Sequence, residues 1–462
     1  MELEKGNHHK IIIGAVGIGG AIIAIYLGAT IFFVNRFYPG STINCVNVSG
    51  KTVEEADDEL FNQTKAYQLD IKGRNGFDDS IQANDIQLNY IDNKMIQKFK
   101  DSQNPFKWIY SAFGNTNYKN SNMFSFNDDN LKKKIDNLSC FNVNNIEESK
   151  NPILQYENGE YTIVKEVYGN KVDKEKLYKV ISDAIENGNS AIDIDKNQCY
   201  ENPRFTSESS QVVDAKDTLN KYVSSKITYN TGDKEEVLDG DDIRNFIDVD
   251  KDYNVSINEK KVNEYVTNTL CAEYNTVGTR RQFKTTYGNN ISISGGDYGR
   301  KIDTSKEVQY LLDAITYGKT DTREPEYSQV PFCNGTNDIG NTYVEVSLSG
   351  QHLWFYKNGE LVTEGSIVSG NVSNGCGTPG GVYKLDYKEK NATLKGEGYS
   401  TPVSFWMPFN GGIGIHDATW RGNFGGNIYL YGGSHGCVNA PYSLAQTIFS
   451  NIEAGTPIVC YY

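Results

Sequence analysis

The sequence predicts an α+β multidomain chain with an N-terminal transmembrane helix, two repeated α+β modules and a C-terminal, mainly β domain. Three observations predict it. Residues 11 to 34 contain no charged side chain, a segment recurs at a constant offset of 130, and the residues from 341 onward read as short strands between glycine turns. At 462 residues the chain exceeds one ordinary core, which suits several folded units. A formal net charge of -14 leaves no basic patch for phosphates, so nucleic acid is not an expected partner.

The run from Ile11 to Val34 would extend about 36 Å as a helix, enough for a tilted bilayer crossing. A cleaved signal peptide is the rival, but its apolar core is typically about 7 to 15 residues and ends at small residues, whereas this run continues into Phe32-Phe33-Val34. Lys5 and Lys10 precede it and Arg36 follows. The large polar remainder is the stronger argument for orientation. The expected topology is single-pass in the cell membrane, with residues 1–10 as an inside tail that holds His8 and His9, 11–34 spanning, and the rest outside.

Ile43 to Val48 reads as strand, and Thr52-Val53-Glu54-Glu55 as a capping box opening a helix through Leu60. Residues 168–189 and 298–319 align without a gap, nine of 22 positions being identical. In each copy an Asp, 173 or 303, stands at an N-cap before apolar residues at helical spacing: Leu177, Ile181 and Ala184, or Val308, Leu311 and Ile315. A fainter echo relates Asp85-Ile86 and Tyr90-Ile91-Asp92 to Asp242-Ile243 and Phe246-Ile247-Asp248. Two copies of one module are expected at 43–200 and 201–325, then a linker at 326–340 marked by Pro331, Asn334-Gly335 and Ile339-Gly340. The first copy carries extra aromatics, Phe106, Trp108, Tyr110, Phe113 and Tyr118, which either stack on sugar or peptide or pack internally.

In the C-terminal domain, 341–462, Tyr343 to Leu348 alternates and Lys357-Asn358-Gly359-Glu360 reads as a hairpin turn. Chemistry gathers near its end. His416 and Asp417 are followed, after a glycine-rich run, by Ser434-His435-Gly436-Cys437-Val438-Asn439. A thiol is nucleophilic as thiolate, and imidazole is suited to take its proton near neutral pH. Both His416 and His435 are candidate bases, since His435 lies two residues from Cys437 and alternate residues of an extended chain share a face. A zinc site built from His416, His435 and Cys437 is the rival, but no fourth ligand is evident nearby, and no metal or cofactor is expected. The eight cysteines contain no CxxC pair and are too sparse for a disulfide framework.

With its histidine, seventeen intervening residues, then Ser434-His435-Gly436-Cys437-Val438-Asn439, the domain resembles the L,D-transpeptidases of bacterial cell walls, the YkuD-type catalytic domain. The resemblance extends through Gln351, the Asn358-Gly359 turn, Gly370 and Thr378-Pro379-Gly380-Gly381, and the two repeats resemble the peptidoglycan-binding domains often found ahead of this unit. It implies that Cys437 is the nucleophile, His416 the general base, and the Asp417 backbone carbonyl the group that orients the imidazole. It also implies an oxyanion hole from the backbone amides of His435, Gly436 and Cys437. Ser434 and Asn439 are expected to pin the loop; Trp420 and Arg421 either line the substrate cleft, Arg421 facing a carboxylate of the peptide stem, or are respectively packed and solvated. Cys376 matches no family requirement; a disulfide to Cys437 would silence the enzyme, and a coincidental buried thiol is the plainer reading.

The function so implied is 3→3 cross-linking of peptidoglycan: acyl transfer from a tetrapeptide donor stem, with release of D-Ala, to an acceptor stem, at a site open to carbapenem acylation. The alternatives are an L,D-carboxypeptidase with the same site and a non-catalytic wall-binding protein.

Overall fold

The computed structural model describes residues 3–91, 94–111, 113–230, 235–333, 337–396 and 399–462, and the side chains of 3–16 and of Tyr399 lie outside the description. Asp92 of the fainter echo, Asn334-Gly335 of the expected linker and the His8 and His9 side chains therefore lie outside the described residues. The chain divides into two compact units, Met1–Leu154 with Ile163–Val212, and Gln155–Thr162 with Val213–Tyr462. The second segment of unit 1 ends at Val212, and the hairpin of Ile153–Glu157 and Glu160–Val164 contributes residues to both units.

Unit 1 begins with α1, Leu3–Phe32. Among the described residues no helix is long and apolar enough to cross a membrane, and the side chains of 11–16, which belong to the expected span, are not among them. After a hairpin of Ser41–Ile43 and Val46–Asn47, helix α2 covers Val53–Lys65. The capping box forms in full: Thr52 Oγ1 accepts from Glu55 N, and the Glu55 carboxylate accepts from Thr52 N. Leu60 packs with Phe37, Ile43, Ile96 and Met123 in a small core of its own.

The repeat becomes one supersecondary unit built twice. In unit 1, β1 (Gln68–Lys72) pairs antiparallel with β2 (Asp78–Gln82), and helix α3 (Lys174–Glu186) leads to β3 (Ala191–Asp193), parallel to β1. In unit 2, β4 (Lys226–Asn230), β5 (Glu235–Leu238), α4 (Thr304–Tyr317) and β6 (Thr320–Arg323) repeat the same order and pairing. Asp173 accepts from Glu175 N and Lys176 N, and Asp303 from Lys306 N, so both aspartates cap as their position requires. The apolar faces of α3 and α4 are buried, Leu177 and Ile181 in one core and Leu311 and Ile315 in the other. The fainter echo coincides with the short helical turns Ala83–Ile86 and Gly240–Ile243, which follow β2 and β5.

The extra aromatics of unit 1 divide. Tyr118 stacks on Phe99 at 4.8 Å beside the small core, and Trp108 packs against Tyr26 of α1 and Phe33 just past its end. Phe106, Tyr110 and Phe113 remain exposed.

The described part of the stretch expected as a linker is packed into unit 2. Tyr327–Gln329 pairs with Lys301–Ile302, Ile339 is buried, and the Asp338 carboxylate accepts from Arg281 Nε and Nη2, both at 2.7 Å. Gly340 lies in a turn with φ of 68°, which favours glycine. The catalytic-type domain follows. One sheet holds β7 (Tyr343–Ser347), β8 (His352–Lys357), β9 (Glu360–Ser366), β10 (Gly381–Lys384) and a last strand, Pro457–Tyr461, in the order β9-β8-β7-last-β10. A second sheet runs in chain order: β11 (Glu389–Gly396), β12 (Tyr399–Asn410), β13 (Ile413–Asp417) and β14 (Val438–Ala440). Val346, Phe355, Met407, Ile415, Val438 and Ile458 close the core between them with helix α5, Tyr442–Asn451. Buried Glu345 in β7 accepts from Thr286 and from Tyr461, which ties the domain to the preceding module.

Candidate active site

The site grows from one strand pair. β13 and β14 run parallel, with Ile415 beside Val438 and His416 beside Asn439. Alternation sends Ile415 and Val438 into the core, where both are fully buried, and turns His416 and Asn439 to the opposite face. Cys437 stands two residues before Asn439 and shares that face. Strand β13 and the segment leading into β14 thus present imidazole and thiol to one cleft of about 250 Å³, lined also by Leu394, Thr401, Trp420, Arg421, Ser434 and His435.

His416 is buried and held at both nitrogens. Nδ1 lies 2.9 Å from the Asp417 carbonyl and donates to it, and Nε2 lies 2.9 Å from Asn439 Nδ2. Arg421 Nε donates to Asn439 Oδ1 at 2.7 Å, which turns the amide NH₂ toward the imidazole. The chain Arg421, Asn439, His416, Asp417 carbonyl therefore fixes a neutral ring protonated on Nδ1. Burial presses the His416 pKa below its ordinary value, the Asp417 carbonyl opposes this, and the Arg421 charge adds to it. The Cys437 thiol donates to the Gly412 carbonyl at 3.6 Å, and burial raises its pKa. Both shifts favour the uncharged forms, so the resting pair is thiol and imidazole.

The loop before the thiol is built by hydroxyls. Ser434 Oγ donates to the Cys437 carbonyl at 2.6 Å and accepts from Gly436 N at 3.0 Å. The Gly436 amide, one of the three expected to face an oxyanion, is therefore engaged within the loop. Thr378 Oγ1 accepts from Gly370 N and donates to the Gly436 carbonyl at 2.7 Å. Gly436 has φ of 125°, closed to L side chains, and a Cβ there would meet Ile413 at 3.0 Å. Gly370 is equally confined, since a Cβ would fall on the Cys376 carbonyl.

His435 is exposed at the cleft, and His352 lies elsewhere, against Glu364 and Trp354 on the first sheet. Trp420 is 52% exposed, with its ring centroid 5.8 Å from that of His416. Arg421 Nη1 also donates to the Gly432 carbonyl, so Arg421 props the site as well as lining it. The described cysteines form no disulfide, and Cys376 Sγ donates to the Asn374 carbonyl. Thr378 as loop support, Gly412 as thiol acceptor, and Leu394 with Thr401 as cleft wall had no assigned role in the sequence reading. The Thr-Pro-Gly-Gly motif was the one signal for Thr378; the other three reach the site only through the pairing of β11 with β12 and the turn before β13.

Residues 341–460 match the YkuD family model, described as the L,D-transpeptidase catalytic domain. Residues 80–193 and 206–323 match the family described as "Putative peptidoglycan binding domain". A crystal structure of a Cys-to-Ser mutant of Enterococcus faecium L,D-transpeptidase is similar at 34% identity, over 53% of this chain and 98% of that one, with a TM-score of 0.44. The catalytic domain of E. faecium L,D-transpeptidase, solved by NMR, is 43% identical over 26% of this chain and 97% of that one, TM-score 0.25. An L,D-transpeptidase from Mycobacterium smegmatis is 21% identical over 26% of this chain and 59% of that one, TM-score 0.24. No curated protein sequence matches. The catalytic model at the C-terminus, the two wall-binding models ahead of it and the identity maintained over nearly the whole E. faecium chain place this protein in the L,D-transpeptidase family, as a cysteine-dependent peptidoglycan L,D-transpeptidase.

Proposed function

We propose that Cys437 attacks the carbonyl joining the third residue of a tetrapeptide stem to its terminal D-Ala. The thiol proton passes to His416 Nε2, the carbon–nitrogen bond breaks, and the proton leaves with the D-Ala amine. The resulting thioester is resolved by an amine of a neighbouring stem, which forms a 3→3 cross-link and restores the thiol. The observation that carries this reading is the single strand face that presents His416 and Cys437 to one cleft, with the imidazole tautomer fixed by the Asp417 carbonyl. For the transfer the thiol turns from Gly412 toward Nε2, and the Asn439 amide yields its place there. Backbone N–H groups of the His435–Cys437 loop stabilise the oxyanion, and Trp420 and Arg421 receive the stem. The full chain incubated with disaccharide tetrapeptide is expected to yield dimers with free D-Ala; tripeptide alone would convert the reading to a carboxypeptidase, and no turnover with intact thiol to a wall-binding protein.

The same reading places the protein on the outer face of the cell membrane, held by residues 11–34. Support comes from α1, whose described part exposes Ile18, Ile22, Ile25, Leu27 and Ile31, an apolar surface around the helix that water covers poorly. Solved relatives include one acylated by ertapenem and one carrying an avibactam carbamoyl group. Carbapenem acylation of Cys437 belongs to this proposal, and intact-mass analysis of the chain and of Cys437→Ala after ertapenem tests it.

A further inference from the structure

We infer that the segment Pro105–Ser111 is a membrane-interface foot, which beds its aromatic side chains in the outer lipid boundary beside the anchor. The inference rests on the anchored topology proposed above and extends it to a second lipid contact.

Its position relative to α1 is the first observation. A 3-10 turn, Pro105–Lys107, opens behind the Asn104 cap and runs into the helical turn Trp108–Ser111. Trp108 lies between Tyr26 of α1 and Phe33 just past its end, 6.0 Å and 5.8 Å away by ring centroids, and the Tyr26 hydroxyl donates to the Phe106 carbonyl at 2.6 Å. The segment is therefore fixed at the level of residues 26 to 33.

Helix geometry then sets the depth. A hydrocarbon core of about 30 Å takes about 20 helical residues at 1.5 Å each. Counted from Ile11, that reaches Thr30, midway between the two residues that grip Trp108. If the run crosses a bilayer, the foot stands at the outer edge of the hydrocarbon.

The exposed chemistry suits that depth. Phe106 is 59%, Ile109 42% and Tyr110 77% exposed, with Lys107 also at the surface. Aromatic rings with a polar end are the side chains enriched at headgroup level, and a lysine there extends its ammonium to the water side. Two contacts at one interface, one spanning and one lateral, restrict rotation of unit 1 about the anchor in a way that a single helix does not.

The test uses the full chain in vesicles of phosphatidylcholine and phosphatidylglycerol, with and without acyl chains brominated near the headgroup. Tyr110→Trp adds a fluorophore on the foot, and Tyr317→Trp, an exposed site in unit 2, serves as control. The added emission of Tyr110→Trp is expected to be quenched by brominated lipid and that of Tyr317→Trp to be unaffected, in a chain that resists carbonate extraction. Equal, unquenched emission in an extraction-resistant chain overturns the foot and leaves the anchor. Release by carbonate overturns the anchored topology and the foot with it. A blue shift of Tyr110→Trp on adding soluble muropeptides, without lipid quenching, overturns the lipid assignment in favour of a wall ligand.

Discussion

The thiol of Cys437 is expected to alkylate slowly at neutral pH and to accelerate steeply with pH. Burial raises its pKa above the ordinary thiol value, and burial lowers that of His416, so neither group stabilises the other's charged form at rest. A thiol titrating at or above about 8.5 is less than about 3% thiolate at pH 7, and that fraction grows about tenfold per pH unit below the pKa. Iodoacetamide labelling of the native chain, followed at the Cys437 peptide by mass spectrometry, should therefore rise close to tenfold between pH 6 and 7 and again between 7 and 8. His416→Ala should keep that slope while abolishing transpeptidation, because the imidazole acts on the proton during attack rather than by holding a thiolate. The acid limb of kcat/KM should fall below the ordinary imidazole value of about 6.5, since a depressed pKa keeps His416 neutral and able to accept a proton into mildly acidic solution. A labelling rate flat from pH 6 to 8 in the parent that becomes steep in His416→Ala would refute the neutral-pair reasoning and indicate a preformed thiolate–imidazolium pair.

Asn439→Asp places a carboxylate 2.9 Å from His416 Nε2, and an opposite charge at that range raises a pKa by about 1 to 3 units, so the acid limb of kcat/KM should move up accordingly; a pH–rate series on variant and parent decides it. Thr378→Val leaves Gly370 N and the Gly436 carbonyl without their shared hydroxyl, a cost of about 1 to 3 kcal/mol, and should lower acylation while Thr378→Ser restores it, as read by ertapenem burst kinetics. Asp338→Ala strands the buried Arg281 guanidinium and should cost unit 2 about 3 to 5 kcal/mol in urea unfolding; an unchanged midpoint would show that the carbonyls of Thr276, Thr279 and Tyr298 suffice for Arg281.

What the sequence made legible was whatever lies within one or two elements. The capping box at Thr52, the caps at Asp173 and Asp303, the buried stripes of α3 and α4 and the Asn358-Gly359 hairpin turn, with φ of 51° and 82°, all follow from spacing. The offset of 130 correctly implied one module built twice, because a helix and its following strand move together in a repeat. The bonds that hold the modules and the site lie beyond such reach. Arg281 and Asp338 are 57 residues apart, Thr378 and Gly436 are 58, and Thr286 reaches Glu345 across 59. No local pattern announces such pairs, so a stretch with prolines and glycines read as a linker while its Asp338 was a buried counter-ion.

The same distinction bears on the two histidines. Proximity along the chain favours His435, two residues from the thiol, and the resemblance favours His416. The strand register supplies an independent reason for the latter. His416 is buried, its Nδ1 proton is committed to the Asp417 carbonyl, and its Nε2 is left unprotonated, accepting from the Asn439 amide on the strand face that bears Cys437. His435 is exposed at the cleft. A base that must accept a proton at one atom and return it to a leaving amine gains from a fixed tautomer and a dry setting, and β13 provides both. The arrangement also gives Arg421 its part: its Nε–H group sets the Asn439 amide, and through it the imidazole.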